Sequence, residues 1–315
     1  MFCIVAFVVL SILGIFSAAN RRLAKEALDC VFRRITFRPC NTGFDEKMKA
    51  KILGKLIMRS ERLASFINKR FELLAWIFFV IGMAALVMSV RGVVLWYTTG
   101  SCNGVNSEAF CVFDPTGANN EVSSVETGCS VTPVTINDLT LDGVDVAAFP
   151  TLNAGNPGTP IIFIGCYSCD YSRATYPIIR KLVDHYNTPL IYLEYPVKLH
   201  SDYLNKVGYC AYKQEPFKYF WMFNDALFAA EKSQIEDQAF VEKTLKDLGF
   251  DMSALQACIA DPTTAAVVEG QLEQIRDTGF YGTPTIFIGD EVFVGPKPYR
   301  VYAIALKGFF YWLAQ

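Results

Sequence analysis

Leu73–Val90 is a run of 18 residues without a charge, and it holds Trp76-Ile77-Phe78-Phe79-Val80-Ile81 with no polar face. A helix that is apolar all round must be buried, in protein or in lipid. Spanning a bilayer takes about 20 such residues. Trp76 stands near one end, and Trp96 and Tyr97 stand near the other, where interfacial aromatics collect. Arg91 is close enough to the far end to snorkel. We read residues 72–98 as a transmembrane helix. The rival reading, a core helix of a large soluble domain, fits the missing polar face less well.

Met1–Asn20 also lacks any charged residue. At about 1.5 Å per residue, it reaches roughly one hydrocarbon thickness, ~30 Å. A cleaved leader would want positive charge before its apolar run; here Arg21 and Arg22 follow it. The expectation is a retained first transmembrane helix over residues 1–20, with a cleaved signal as the alternative. Between the two apolar runs, residues 21–71 carry 14 Lys+Arg and five acidic residues, whereas residues 98–315 carry 14 Lys+Arg and 25 Asp+Glu. Positive charge in short loops stays cytoplasmic. This predicts a two-pass protein of the cell membrane: basic loop 21–71 inside, N-terminus and C-terminal region extracytoplasmic. Met48, Ile52, Leu53, Leu56, Ile57, Leu63, Phe66 and Ile67 recur in the loop at helical spacing. That pattern fits a helix at the headgroups that sets topology, or a lipid-surface or partner-binding helix. Cys30 and Cys40 fall in the same loop, where cytosolic thiols stay reduced.

The whole chain balances 29 Lys+Arg against 31 Asp+Glu, which argues against a generally basic nucleic-acid binder; no nucleic-acid partner is expected. Its 52% hydrophobic content excludes a disordered chain.

Residues 99–150 read as a loop-rich extracytoplasmic spacer with one strand-like stretch near Val131–Leu141. Cys102, Cys111 and Cys129 lie here, where cysteines staple segments that have little core of their own. From residue 151 the texture is that of an α/β domain. Ile161-Ile162-Phe163-Ile164, bounded by Pro160 and Gly165, fits a buried strand. Ile178, Ile179, Leu182, Val183 and Tyr186 mark a helix. Leu190–Leu193 is a second strand, residues 201–278 read as several helices, and Thr285–Ile288 with Val292–Val294 reads as a hairpin. A last helix starts near Tyr299.

Cys166-Tyr167-Ser168-Cys169 sits at the first strand-to-helix junction. Two cysteines so spaced can close a small disulfide ring. The helix N-terminus favours thiolate, the species that attacks in disulfide exchange. A metal site would want a second such pair or nearby histidines, and His185 and His200 are the only histidines in the chain. The remaining rival is an inert structural disulfide.

Residues from about 150 to 312 resemble the DsbA-like branch of the thioredoxin superfamily. The resemblance rests on Gly155-Asn156-Pro157-Gly158-Thr159-Pro160, on the cysteine motif, and on Tyr195-Pro196. It rests further on Phe220-Trp221 and Ala226-Leu227-Phe228, and most specifically on Gly282-Thr283-Pro284-Thr285-Ile286-Phe287-Ile288. It implies a thioredoxin-like α/β fold with a helical insertion over 151–315, preceded by the two transmembrane helices. It implies that Pro284 is cis and faces the redox cysteines, that Thr283 tunes them, and that the backbone there pairs with substrate. It also implies a structural disulfide between Cys210 and Cys258. A loop of that size would add roughly 3–4 kcal/mol in the chain-entropy model.

The pattern departs from the family in one respect. Members carry Cys-Pro-x-Cys-Arg with a proline eight residues after the first cysteine. Pro177 is eight after Cys169 and Arg173 four after it, so this register makes Cys169 the nucleophile and puts Ser172 in the second cysteine's place. The plain count makes Cys166 the attacker and Cys169 the resolver. We prefer Cys169 at the helix start. In that register, Phe163 stands where relatives often have a buried carboxylate. The pairing of Cys3, Cys102, Cys111 and Cys129 stays open. His200 reads as a surface residue, and Phe309–Leu313 as helix packing or membrane-surface contact.

The expected activity is that of a membrane-anchored protein thiol–disulfide oxidoreductase forming disulfides through Cys166 and Cys169. A reductase or isomerase at the same site, or a non-catalytic binding module, is the alternative. Its partners would be cysteine-containing proteins and a quinone-linked membrane oxidant. No organic cofactor or metal is implied.

Overall fold

A computed structural model of the chain describes residues 17–36, 61–124, 139–197, 202–215 and 218–313, with a few single residues between. It divides into two compact units, Met1–Arg91 and Gly92–Gln315.

The first unit contains α1 (Ala18–Ile35), α2 (Glu61–Lys69) and most of α3 (Phe71–Thr99), which continues into the second unit. Ala24, Ala27 and Cys30 are buried together on α1. Cys30 is disulfide-bonded, where a reduced thiol was expected. Among the described residues one helix, Trp76–Thr99, is long and apolar enough to cross a membrane. None of its apolar window is buried in the molecule, and Phe78, Val80, Ile81 and Leu86 are exposed. A soluble core helix would hide that face. The first expected span, 1–20, lies mostly outside the described residues, as do Cys3, Cys40 and most of the 48–57 pattern; so the described residues carry one such span, not two.

The second unit opens with a loop closed by a Cys102–Cys111 disulfide. A single turn of 3-10 helix, Ala118–Asn120, leads into β1 (Ser123–Ser124). Of the strand expected near 131–141, residues 131–138 lie outside the described ones. Residues 139–141 are not strand; the Thr140 amide donates instead to the Thr278 carbonyl.

Then follow β2 (Thr151–Leu152), β3 (Ile161–Gly165), α4 (Asp170–Tyr186) and β4 (Leu190–Glu194). The helical layer is α5 (Asp202–Gln214), α6 (Lys218–Ala229), α7 (Lys232–Ile235), α8 (Gln238–Asp247), α9 (Met252–Ala260) and α10 (Pro262–Asp277). Last come β5 (Gly282–Thr283), β6 (Thr285–Ile288), β7 (Glu291–Val294), α11 (Tyr299–Lys307) and α12 (Phe309–Leu313). The main sheet has the order β2-β4-β3-β6-β7; β3 and β4 are parallel and the other pairs antiparallel. A separate two-stranded ladder joins β1 to β5.

The central strand shows why the sheet sits where it does. Successive side chains of a strand point to opposite faces. Ile161 and Phe163 enter one core, with Ile179, Leu182 and Tyr302; Ile162 and Ile164 enter the other, with Phe149, Leu272 and Ile275. A strand covered on both faces has to be apolar throughout, as Ile161–Ile164 is. The strand ends at Gly165, where a Cβ would stand 2.8 Å from the Phe163 ring. The chain leaves the sheet there and turns into α4.

In the helical layer, Cys210 of α5 and Cys258 of α9 are joined by a disulfide. Asp261 caps α10 by accepting from the Thr263 amide, with Pro262 at the first helical position. At the other end of the unit, α11 reaches the last turn of α3. Arg300 donates to the Tyr97 and Trp96 carbonyls at 3.1 and 3.4 Å, and its guanidinium lies 4.6 Å from the centre of the Trp96 ring. Trp312 Nε1 donates to the Tyr97 hydroxyl at 3.0 Å. A C-terminal helix end has free carbonyls, and a cation is favourable there.

Candidate active site

Cys169 is the N-cap of α4, in extended backbone one residue before the helix starts. Cys166 lies upstream in the turn that leaves β3, and the Cys169 amide donates to its carbonyl at 3.1 Å. Both are free thiols and both are buried, at 0% and 1% exposure. The Thr283–Pro284 bond is cis and sits at the start of β6. Cys169 Sγ is 3.3 Å from the Thr283 carbonyl oxygen, so the Cys169 side of the motif faces the proline loop.

Ser172 ties the two cysteines together. It is fully buried in the first turn of α4. Its amide donates to Cys169 Sγ at 3.4 Å, and its hydroxyl accepts from the Cys166 amide at 3.3 Å. Ser123 Oγ of β1 lies 3.0 Å from Cys169 Sγ. Burial pushes the Cys169 thiol up, but hydrogen bonds from Ser123, Thr283 and Ser172 outweigh it and hold the thiol below its ordinary value. The buried Thr283 hydroxyl has no hydrogen-bond partner. Donors aimed at a sulfur favour its thiolate.

Cys166 has the opposite surroundings. Burial raises it, backbone amides only partly offset that, and the Glu194 carboxyl adds to the rise. Glu194 ends β4 in register with Gly165, one residue before Cys166. It is a partly buried residue whose carboxyl burial pushes well above the carboxylate range. Its Oε1 has no hydrogen-bond partner, nor has Asn205 Oδ1 across the same cavity. That cavity, about 50 Å³, is lined also by Tyr167 and Tyr192 and has room for water. Phe163, in the place where a carboxylate was sought, is packed between the Tyr176, Tyr192 and Phe228 rings. A buried acid therefore comes from the neighbouring strand. Its only trace in the sequence is a glutamate at the end of an otherwise apolar run, Leu190-Ile191-Tyr192-Leu193-Glu194.

Tyr167, between the cysteines, anchors the turn. Its hydroxyl donates to Asn224 Oδ1 at 2.6 Å, Asn224 Nδ2 donates to the Tyr176 hydroxyl at 2.7 Å, and Tyr176 donates to Asp225 at 2.5 Å. Arg180 closes the chain with two bonds to Asp225 at 3.0 and 3.1 Å. Arg173 Nη1 bonds the Tyr167 carbonyl at 3.0 Å and the Leu227 carbonyl at 3.1 Å. The turn carrying the cysteines is thereby fastened to α6.

Cys166, Cys169, Thr283 and Pro284 thus come together, and Cys210–Cys258 stands apart in the helical layer. Ser123 and Glu194 join the site without having been singled out as its members, and Ser172, expected only to stand where relatives have a second cysteine, joins it by bonding both cysteines. His185 is exposed on α4, and His200 and Cys129 lie outside the described residues.

Residues 172–307 match the family model described as a DSBA-like thioredoxin domain. The matched stretch contains Thr283 and Pro284 and begins after Cys169. No curated protein matches the chain. Among solved structures, the catalytic domain of Proteus mirabilis ScsC is similar at 22% identity, over 57% of this chain and 94% of that one, with a TM-score of 0.45. The thiol-disulfide exchange protein alpha-DsbA2 from Wolbachia pipientis is similar at 21% identity, over 53% and 88%, with a TM-score of 0.44. Oxidised BdbD from Bacillus subtilis is similar at 19% identity, over 50% and 89%, with a TM-score of 0.42. With the sheet order and the cis proline already described, the family match makes the domain a thioredoxin-like α/β fold with a DSBA-like helical layer.

Proposed function

We propose that this chain is an extracytoplasmic thiol–disulfide oxidoreductase held at a membrane by helix 76–99, promoting disulfide formation in secreted or membrane proteins. The observation that carries the reading is the Cys169 sulfur. It caps a helix beside a second free cysteine, faces a cis proline, and is held below its ordinary pKa by hydroxyl and amide donors. A low-pKa sulfur is a good leaving group, and a pair built around one is oxidising.

In the oxidised pair Cys166 and Cys169 share one S–S bond. A substrate thiolate attacks Cys169 Sγ, forming a mixed disulfide and releasing Cys166 as the thiolate. A second substrate thiolate attacks the substrate sulfur of that mixed disulfide, and Cys169 leaves. The substrate loses two electrons and two protons; the 166–169 pair gains the electrons and ends as the dithiol. A protonated Glu194 beside Cys166 can supply a proton to that sulfur as it leaves. Turnover needs an electron acceptor, and the family resemblance suggests a quinone-linked membrane partner. Thr283 and Pro284 would line the substrate's path, and no resident cofactor or metal has a part in these steps.

The test is the reduction potential of the pair in the full chain in detergent, equilibrated in thiol buffers with free thiols trapped at Cys166 and Cys169. A reversible couple above about −200 mV supports an oxidase. A much lower couple makes the site a reductase, and a folded chain whose pair never cycles removes the catalytic reading. The two-pass topology, with domain boundaries at residues 20, 71, 98 and 150, is tested separately by membrane-impermeant maleimide on intact cells. After reduction, labelling of Cys30 from outside would sink the cytoplasmic placement of loop 21–71.

A further inference from the structure

The exchange site is already occupied by the chain itself. Cys169 Sγ is 1% exposed, and the atom that closes it from the β5 side is Ser123 Oγ, 3.0 Å away. Ser123 reaches it from 46 residues upstream, on a strand lying antiparallel along β5 with Ser123 opposite Thr283 and Ser124 opposite Gly282. Serine has the shape of cysteine with oxygen in place of sulfur. An attacking sulfur must come within about 2.05 Å of Cys169 Sγ to form a bond. An extended peptide bringing it along β5 would need the backbone edge that Ser123 and Ser124 now use.

The domain is shaped to take this strap. A Cβ at Gly282 would meet Val122 Cγ2 at 2.7 Å, and one at Gly295 would meet the Asn120 and Glu121 backbone at 2.8 Å. Upstream of the strap the chain is fastened to the thioredoxin-like domain. The buried Lys297 ammonium donates to the Asn119 carbonyl, Asn120 Oδ1 and the Val294 carbonyl, at 2.5, 2.5 and 2.8 Å. Asn106 exchanges two hydrogen bonds with the β7 backbone, donating to Val292 and accepting from Val294. Val122 and Ser123 are only half-buried. The anchor is firm and the part lying over the sulfur is short.

We propose that residues 121–124 are a built-in stand-in for substrate, with Ser123 where an incoming cysteine would sit, and that exchange requires this strap to lift from β5. The inference rests on the exchange reading for its meaning, but its test does not depend on catalysis.

Two variants of the full chain in detergent test it. Ser123→Cys is reduced and then exposed to oxidised glutathione, which takes two electrons and two protons from a pair of thiols and leaves as two reduced glutathiones. Peptide mapping is expected to find a bond between position 123 and Cys169 in most molecules, with Cys166 still free to alkylate. In Val122→Asp, iodoacetamide is expected to alkylate Cys169 at least tenfold faster than in the parent. The added carboxylate and the lost Ser123 bond would both lower the thiolate fraction, so a faster rate reports access alone. The proposal stands only if both results appear. A 166–169 bond alone in Ser123→Cys overturns it, as does an unchanged or slower rate in a Val122→Asp chain with parental circular dichroism. If that variant does not fold, Val122→Ser is read by the same criterion. A parent protein inert in disulfide exchange would leave both readouts intact, so failure of the oxidoreductase reading is separately visible.

Discussion

Cys166 and Cys169 stand three residues apart and experience opposite environments. Cys169 is met by the Ser123 hydroxyl, the Ser172 amide and the Thr283–Pro284 loop, and its thiol is held down. Cys166 is itself buried, with the Glu194 carboxyl adding to the effect of burial, and its thiol is pushed up. Spacing alone makes the two residues equivalent. What separates them is that a helix begins after one and a sheet ends before the other. Under the proposed function that asymmetry would divide the roles: the sulfur with the stabilised thiolate would engage substrate, and the one kept protonated would release it.

The largest test of that asymmetry is to remove each sulfur in turn. Cys169→Ser should lower the rate of disulfide transfer to a fluorescent dithiol peptide by ~10³-fold, because no other thiolate is poised there. Cys166→Ser should instead accumulate a mixed disulfide at Cys169, seen by mass spectrometry. If the two variants behave the other way round, the assignment is reversed. Next is the network that holds the turn. Asn224→Ala strands the Tyr167 hydroxyl in the core and leaves Tyr176 with Asp225 alone, and should cost about 2 kcal/mol in urea unfolding, in the range for orphaned buried polar groups.

Ser172 serves both cysteines, so Ser172→Ala should weaken the contrast between them. The Cys169 pKa should rise, and the rate at which iodoacetamide alkylates it near neutral pH should fall roughly threefold to tenfold, following the thiolate fraction. An unchanged titration of the thiolate ultraviolet absorbance would show that the hydroxyl contributes nothing.

The smallest effect concerns Glu194. Its folded pKa is raised, so the folded state binds a proton that the unfolded chain has released. Stability should therefore fall as pH rises from the ordinary value of 4.5 towards the elevated folded one. Glu194→Gln should flatten that slope and lower the Cys166 pKa. A variant with the parental slope would mean that another group carries the pH dependence.

The order of strands and helices was legible because each buried element left its period in the chain. Ile161–Ile164 is apolar at every position because both faces of β3 are covered, and α4 shows its core stripe at helical spacing. The cysteine motif and Thr283–Pro284 were legible as local patterns. Glu194 was not, because whether a glutamate ending a strand faces open solvent or a small cavity depends on what α5 and α10 place above it. Ser123 was still further out of reach. It lies in a segment without periodicity, and only the fold brings it to a sulfur 46 positions away. The first apolar run and the basic loop remain readings of charge and hydropathy, and the disulfide at Cys30 was invisible to both.

The clasp of Arg300 and Trp312 on the last turn of α3 has a consequence for reach. A domain tethered by a loose linker sweeps a volume and meets partners at many heights. Here the final turn of the apolar helix is packed into the domain, with Trp96 stacked on Phe113 at 4.6 Å as well. That last turn therefore belongs mechanically to the domain, and with Asn119 bonded back to the Gly100 carbonyl the stretch from Gly100 to β1 is a fastened segment and not a free tether.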